Sequence, residues 1–463
     1  MSKSKRFLKT SIIYMVGIVL SKVITFFLLP IYTSYLPPEE FGYYDLILSI
    51  LNFLVPISYF QIWDGLFRFS FDYKENKDKY KVVTNTFIVF VLGIAFYTII
   101  IFTINSVYRL NYLNYVYIYG ISFALNYLYS FIARTFLKNK LFVISGLFNT
   151  FSASLINVIL IVNFNFGIES LFISQSIGFL LQVLIIEIDI KPISKIDIKQ
   201  IDLKIIKPML RFSIPLCIAT VSYWLLSGYT KLNINHQLGS FDNGIYSVAN
   251  KFASLVALGV SIFQYAWNEI AYSISNDSDR NSSYTNMLDI LFKFMMFGSG
   301  VLLLLIKWVF PILINKSYNG AELLIPITLF GVAANSIAGF IGTIFSSEKR
   351  TTKTFGSTFI ASISNVFLSL FLTKKFGLIG ASLSLTLSFI ILLLIRLIVL
   401  KKSFNIEISN KNYLNILFYL IIATIYYSID YKYILLAIGI SIVFSIILLR
   451  NTIKILIKMI WAK

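Results

Sequence analysis

Residues 10–35 read TSIIYMVGIVLSKVITFFLLPIYTSY, an apolar run in which Lys22 is the single charged residue. A helix needs about 20 mostly apolar residues to cross a bilayer, so this run predicts a membrane-spanning helix. The run follows the short basic start Met-Ser-Lys-Ser-Lys-Arg. A secretory signal would have a shorter apolar region and a small-residue cleavage site, so we expect this first helix to be retained.

Runs of the same kind fill the rest of the chain. Of the 463 residues, 57% are hydrophobic and 13% are charged, and this balance excludes a soluble enzyme and a disordered chain. We predict an all-α polytopic membrane protein with about fourteen spanning helices, the last two being the least sharply bounded, so that a twelve-helix alternative stays open. The predicted segments are 10–35, 45–67, 82–105, 113–136, 141–164, 168–188, 211–234, 243–268, 287–312, 321–345, 354–373, 378–400, 413–429 and 432–450.

The positive charges predict the orientation. With the N-terminus inside, the inner segments hold 29 of the 40 Lys and Arg residues and the outer loops hold 5. Short inner loops of membrane proteins are rich in Lys and Arg, so we predict cytoplasmic N- and C-termini in a bacterial cytoplasmic membrane. The net charge of +19 is explained in this way, and we expect no nucleic-acid partner. Cys217 and His236 are the only residues of their types, which leaves neither an internal disulfide nor a Cys/His metal cage.

Two motifs recur along the chain. Leu36, five residues, Gly42, one residue and Tyr44 recur as Leu238, Gly244 and Tyr246, at an offset of 202. Asn157-Val158 before Phe166-Gly167 recurs as Asn365-Val366 before Phe376-Gly377. Because a six-helix repeat begins and ends on the same side, we predict two lobes related by a pseudo-two-fold axis along the membrane normal. The predicted divisions are 1–190 for the first lobe, 191–210 for a cytoplasmic linker, 211–402 for the second lobe, and 403–463 for two extra helices and a basic tail.

Lysines inside apolar helices are the first candidate site residues. Lys22 lies about 12 residues into the first helix, roughly 18 Å along it, where a charge facing lipid costs several kcal/mol. We therefore predict that Lys22, with Thr25 on the same face, lines a wet cavity, although a structural lysine is the alternative. Lys251 belongs to a polar stripe of the eighth helix that also includes Ser254 and Tyr265. Such a stripe predicts a helix interface or a cavity, and the lysine favours the cavity.

The second helix supplies another polar face. Gln61, Asp64 and Arg68 follow at i, i+3 and i+7, and we name Asp64 and Arg68 as candidate binding residues. Asp64 and Arg68 are also four residues apart, so a structural ion pair is an equal alternative. The chain carries no nucleophile elbow, phosphate-binding loop or metal-ligand spacing. We therefore expect a protein that is not an enzyme, without catalytic residues, metal or cofactor.

Four stretches resemble the Wzx-type oligosaccharide flippases. They are YLPPEEFGYY at 35–44, LRFSIPL at 210–216, GIYSVANKF at 244–252, and FGLIGAS at 376–382 preceded by Asn365. The first and third are the more specific, and together the stretches span residues 1 to about 400. Where the family often has an Asp-Arg pair near the outer end of helix seven, this chain has Thr230-Lys231, so we assign no acidic role there.

The resemblance implies a superfamily, called MOP, that flippases share with multidrug exporters and lipid II flippases. It implies two six-helix lobes, a cavity lined by helices one, two, seven and eight, and an undecaprenyl-pyrophosphate-linked oligosaccharide as substrate. Lysines could meet the pyrophosphate in several poses because each is a point charge. Coupling to H⁺ or Na⁺ stays open, and we expect a monomer. Trp224 could stack on a sugar, although packing is the more natural role.

Two alternatives belong to other functions. A multidrug exporter of the same superfamily should carry acidic residues midway through its helices, whereas this chain carries lysines. A membrane polysaccharide polymerase or ligase would need a long outer loop with catalytic groups, and no predicted outer loop exceeds about a dozen residues.

Overall fold

A computed structural model of the chain describes residues 15–17, 19–273, 280–404, 406 and 412–461. Side chains are described for these residues except at 261–263, 265–266, 268–270, 272–273 and 451–461. The first half consists of α1 (Met15–Tyr35), α2 (Pro38–Ser58), α3 (Ile62–Ser70), α4 (Asn76–Tyr108), α5 (Leu113–Thr135), α6 (Asn139–Val162), α7 (Glu169–Ile190) and α8 (Leu203–Ser227). No strand occurs in the described ranges.

The second half continues the all-helical pattern. It consists of α9 (Tyr229–Gln237), α10 (Ser240–Ser273), α11 (Arg280–Leu313), α12 (Gly320–Ser347), α13 (Thr351–Phe404), α14 (Asn412–Ser428) and α15 (Ile434–Trp461). The stretch α13 contains two predicted spans, which meet at Gly377, where φ is 59°. Eleven described helices are long and apolar enough to cross a membrane, and each of the fourteen predicted segments coincides with a helix or a helix pair. The chain is therefore a multi-pass helical membrane protein.

The second predicted helix is not continuous, contrary to the prediction of one span over 45–67. The helix α2 ends at Ser58, and α3 begins at Ile62. Between them, Phe60 and Gln61 have φ values of 55° and 49°, in the left-handed region. Pro56 contributes to the break because it has no N–H for the helical ladder. The polar residues Gln61 and Asp64 thus lie at the start of a short separate helix.

The first and seventh predicted helices are also irregular. The helix α1 turns at Leu28, and a second piece, Leu29–Tyr35, carries Pro30 in its first turn. The predicted span 211–234 is divided at Gly228, between α8 and α9. In both cases a short helix leads directly to one copy of the recurring motif. The predicted span 211–234 is therefore two helices, whereas Met15–Tyr35 remains one spanning helix with a turn at Leu28, just before Pro30.

Contacts divide the described chain into two compact units. The N-terminal unit contains the residues up to Leu36 and Tyr43–Trp224, and the C-terminal unit contains Pro37–Gly42 and the residues from Leu225 onward. Within the N-terminal unit, α8 packs along α2 and α3. The Trp224 indole N–H donates to the Ser49 carbonyl at 2.7 Å. The lobes 1–190 and 211–402 and their pseudo-two-fold axis stay a prediction.

The two copies of the recurring motif meet inside the C-terminal unit. A Cβ on Gly42 would lie 1.9 Å from the Ser240 carbonyl oxygen, and a Cβ on Gly244 would lie 2.0 Å from the Pro38 carbonyl oxygen. The contact is reciprocal, because Gly42 and Gly244, and likewise Pro38 and Ser240, are each 202 positions apart. The buried Asn243 side chain also donates to the Gly42 carbonyl. Only glycine allows the two helix starts to approach so closely.

The helix α14 is fixed to α12 by tyrosine hydroxyls. Pro326 in α12 has no N–H, so the carbonyl of Glu322 lacks its helical donor. The Tyr426 hydroxyl donates to this carbonyl at 3.1 Å, and the Tyr427 hydroxyl donates to the next one, Leu323, at 2.8 Å. The last helices are thus part of the C-terminal unit.

Candidate functional site

A pocket in the N-terminal unit contains Lys22. It has a volume of about 340 Å³ and lies among α1, α5, α6 and α7. None of the described residues that line it is acidic, and within the described part of the chain Lys22 has no carboxylate partner. The lining residues are Gly17, Ser21, Lys22, Asn126, Ser130, Phe142, Val143, Gly146, Leu147 and Gln182.

Amide side chains form the floor of this pocket. The carbonyl oxygen of Gln182 accepts from the amide of Asn126 at 2.7 Å and from that of Asn149 at 3.0 Å. The Gln182 amide nitrogen donates to the Ser130 hydroxyl at 3.2 Å. Gln182 is only 3% exposed, so its polar groups depend on these partners. The result is a fixed polar surface opposite the Lys22 helix.

The amide floor was not predicted from the sequence. Asn126, Gln182 and Asn149 come from three separate apolar runs, and only the fold brings them together. One signal was present in α5, where Ser122, Asn126, Ser130 and Arg134 recur every four residues and therefore share a helix face. A polar face of this kind inside a predicted span indicates a cavity or a helix interface.

Thr25 lies near Lys22 in α1 but is not one of the residues that line the pocket. Its hydroxyl donates to the carbonyl of Ser21 at 2.9 Å, one turn earlier in the same helix. Thr25 is exposed, as is Lys22. A binding role for Thr25 stays a prediction.

Asp64 and Arg68 do not pair with one another. Arg68 donates to Asp72 at 2.8 Å, and both of these side chains are more than half exposed. The Asp64 carboxylate is hydrogen-bonded to the side chain of Gln61, and the guanidinium of Arg134 is the nearby positive charge. The alternative of an Asp64–Arg68 ion pair is therefore wrong, because Asp72 lies one turn after Arg68 and offers a carboxylate at the helix end.

Arg134 itself is surrounded by aromatic rings. Its guanidinium carbon lies 4.7 Å from the ring centre of Phe67 and 4.8 Å from that of Phe131. A third ring, Phe142, lies at 6.0 Å and also lines the Lys22 pocket. Such cation–π contacts hold a guanidinium in place without a carboxylate. The Arg134 charge is therefore fixed beside both Asp64 and the pocket wall.

The polar stripe of α10 lies in the C-terminal unit. Lys251 is half-buried, Ser254 is exposed, and the Ser254 hydroxyl donates to the Lys251 carbonyl at 2.6 Å. Ser247, one turn before Lys251, is buried. The side chain of Tyr265 lies outside the described residues. Binding roles for Lys251, Ser254 and Tyr265 stay predictions.

Two further residues have packing roles. Trp224 stacks on Phe53 with ring centres 4.5 Å apart, in addition to its bond to Ser49, which supports a packing role. Thr230, to which we assign no acidic role, is fully buried. The amide of Asn365 donates to the Thr230 hydroxyl at 3.1 Å and to the Leu225 carbonyl at 3.0 Å, beside the break at Gly228. Asn365 thus provides a hydrogen-bond donor for a backbone carbonyl beside the break between α8 and α9.

Broken spanning helices and a polar pocket among them are features of a multi-pass membrane protein whose family the comparisons with known proteins identify. A family model of polysaccharide biosynthesis proteins matches residues 7–267, more than half of the chain. The chain belongs to this polysaccharide biosynthesis protein family. No curated protein sequence matches the chain.

Solved structures share the fold. The lipid II flippase MurJ in an inward closed conformation is 17% identical and superimposes with a TM-score of 0.72, covering 96% of this chain and 100% of that one. An inward-facing multidrug resistance MATE family transporter is 12% identical with a TM-score of 0.66, covering 82% and 96%. A MOP superfamily transporter from Pyrococcus furiosus, described by the reversed polarity of its binding pocket, is 12% identical with a TM-score of 0.57, covering 84% and 93%.

Proposed function

We propose that this chain is a flippase that moves an oligosaccharide linked to undecaprenyl pyrophosphate across the bacterial cytoplasmic membrane by alternating access. Its termini would be cytoplasmic, and it would act as a monomer without enzymatic activity. Membership of the polysaccharide biosynthesis family and the fold shared with a lipid II flippase support a lipid-linked substrate.

One observation carries the proposal further: Lys22 borders a pocket whose described lining contains no carboxylate. A pyrophosphate is strongly anionic and needs a positive charge in the membrane interior. A lysine already neutralised by an acidic neighbour would offer little net attraction. In the same proposal Lys251 of the C-terminal unit supplies a further positive charge. Arg68 in α3 is paired with Asp72 and would contribute only on releasing that carboxylate.

The alternative of a multidrug exporter has one residue in its favour. Asp64 is the acidic side chain in α3, and it is hydrogen-bonded to Gln61 beside the break between α2 and α3. An acid in this place could bind a proton or a sodium ion. In the flippase proposal it would serve coupling to the ion gradient, whereas in an exporter it would meet a cationic substrate.

The test is deletion of the gene in its native host, followed by analysis of the lipid-linked glycan that accumulates. The wild-type gene should restore surface glycan, and Lys22→Met should not, at equal membrane-inserted protein. This substitution retains the apolar stem and removes the charge. Lys22→Arg should restore export partly, because the charge matters more than the geometry of the donors.

The matched control is Lys316→Met, which removes a charge from an exposed position between α11 and α12. It should export as the wild-type protein does. Normal export by Lys22→Met together with Lys251→Met would contradict the cationic site. Accumulation of no lipid-linked glycan in the deletion strain, combined with sensitivity to cationic drugs, would favour the exporter.

A further inference from the structure

The Lys22 pocket has a charged rim and an uncharged polar floor. Lys22 is exposed at one side, whereas Gln182 at the floor is 3% exposed. A ligand that fills this pocket should therefore combine an anionic group with neutral polar groups. An inorganic cation has no acidic ligand among the described lining residues.

The floor still has hydrogen-bonding capacity for a ligand. An amide side chain has two donors and one acceptor oxygen, and Gln182 uses one donor for Ser130. Asn126 uses one donor for Gln182, which leaves its own oxygen as an acceptor. The floor thus offers both donors and an acceptor, which suits hydroxyl or acetamido groups, since each of these also donates and accepts.

The walls are apolar and the volume is small. Phe142, Val143 and Leu147 line the pocket together with Gly17 and Gly146, and small-molecule sites in general are mostly apolar with a few placed polar groups. A volume of about 340 Å³ is near the lower limit for such sites. It is suited to one sugar unit with its phosphate rather than to a long glycan.

We propose that this pocket binds a glycosyl phosphate, with the phosphate at the Lys22 ammonium and the sugar on Asn126, Ser130 and Gln182. The inference rests on the proposed flippase function, and it places the phosphate-bearing end of the substrate in the N-terminal unit. Phe142 lies along the apolar face of the sugar. The same site would reject an uncharged sugar, which leaves Lys22 unused, and a bare phosphate, which leaves the floor unused.

Filling the pocket provides a test that leaves Lys22 intact. A Cβ on Gly146 would have only the Gln182 amide nitrogen within 4 Å, at 3.8 Å, so Gly146→Leu places its side chain in the pocket. Gly298→Leu is the matched control, because a Cβ on the exposed Gly298 meets nothing within 4 Å. Ser130→Ala removes one hydroxyl from the floor and is a second, milder variant.

The assay is thermal unfolding of the purified full-length protein in lipid nanodiscs, with glucose 1-phosphate, inorganic phosphate or glucose as the probe. A ligand that binds only the folded protein raises the unfolding temperature. Glucose 1-phosphate should stabilise the wild-type protein and Gly298→Leu more than either other probe does. The shift should disappear in Gly146→Leu and fall severalfold in Ser130→Ala, and Lys22→Met should respond equally to glucose and glucose 1-phosphate.

An equal shift with inorganic phosphate, an undiminished shift in Gly146→Leu, or no shift of the wild-type protein would each overturn the site. The export assay separates this inference from the proposed function. If Gly146→Leu exports glycan as well as the wild-type protein does, the proposed binding site is contradicted, whereas the flippase function is not. A wild-type protein that exports no glycan would overturn the flippase proposal itself.

Discussion

Gly42→Ala should destabilise the protein strongly, although it adds a single methyl group. The new Cβ would lie 1.9 Å from the Ser240 carbonyl oxygen and 2.5 Å from the Gly244 nitrogen, and both are backbone atoms. The helix starts would have to separate by more than an ångström, and overpacking of this kind costs about 1–3 kcal/mol. The buried amide of Asn243 would also lose its bond to the Gly42 carbonyl, at a further cost of about 1–3 kcal/mol. We therefore expect a loss on the order of 2–6 kcal/mol.

The measurement is the free energy of unfolding in mixed micelles with a denaturing detergent. Gly298→Ala is the control: it lies in a helix with open space around it and should gain up to about 1 kcal/mol from helix propensity. Gly244→Ala should cost about as much as Gly42→Ala. The double variant should lose less free energy of unfolding than the sum of the two single variants, since both substitutions disrupt the same contact. A Gly42→Ala protein as stable as the wild type would refute the reciprocal contact.

Three further outcomes are expected. A reporter fused at Lys199 should face the cytoplasm, and an external signal there would overturn the 29-to-5 charge assignment and the two-lobe topology. Asn365→Ala should lower the free energy of unfolding by about 1–3 kcal/mol, because the Leu225 carbonyl loses its donor, and chemical denaturation of the purified variant measures this. Tyr426→Phe should destabilise the packing of α14 by a comparable free energy, because the Glu322 carbonyl loses its donor. Unchanged cleavage of α14 by a protease would contradict that role.

The sequence predicts the spanning segments well because length and apolarity determine them. Within the described ranges all fourteen coincide with helices, and even the division of the long stretch α13 at Gly377 falls between two predicted spans. A bilayer requires every backbone group to be satisfied within a helix, so few alternatives exist for such segments. The predicted relation to polysaccharide biosynthesis proteins is confirmed by the family model that matches residues 7–267.

Breaks inside the helices could not be predicted in the same way. Phe60 and Gln61 adopt left-handed conformations, which their residue types do not favour, and the apolar pattern continues through them. Pro56 alone does not distinguish a kink from two separate helices. The surrounding contacts decide, such as the hydroxyl of Thr220, which donates to the Gln61 side chain at 3.0 Å.

The candidate site was predicted only in part. Lys22 is conspicuous as a charge in an apolar run, but the amides opposite it come from three other helices, and neither composition nor periodicity pairs them. For Arg68, local spacing left an ion pair with Asp64 as one of two alternatives, whereas the partner in the structure is Asp72, at 2.8 Å. Spacing along one helix predicts which residues share a face, but it does not predict which neighbouring residue forms the ion pair.

Reconstitution tests the central claim most directly. The purified protein is placed in liposomes that carry an undecaprenyl-pyrophosphate-linked oligosaccharide with a fluorescent sugar, and a membrane-impermeant glycosidase reports the glycan that reaches the opposite leaflet. We predict that wild-type protein and Lys316→Met expose the inner pool of glycan to the enzyme, whereas Lys22→Met leaves it protected. If liposomes with wild-type protein and empty liposomes protect the same fraction of glycan from the glycosidase, in the presence of either an H⁺ or a Na⁺ gradient, the chain is not a flippase.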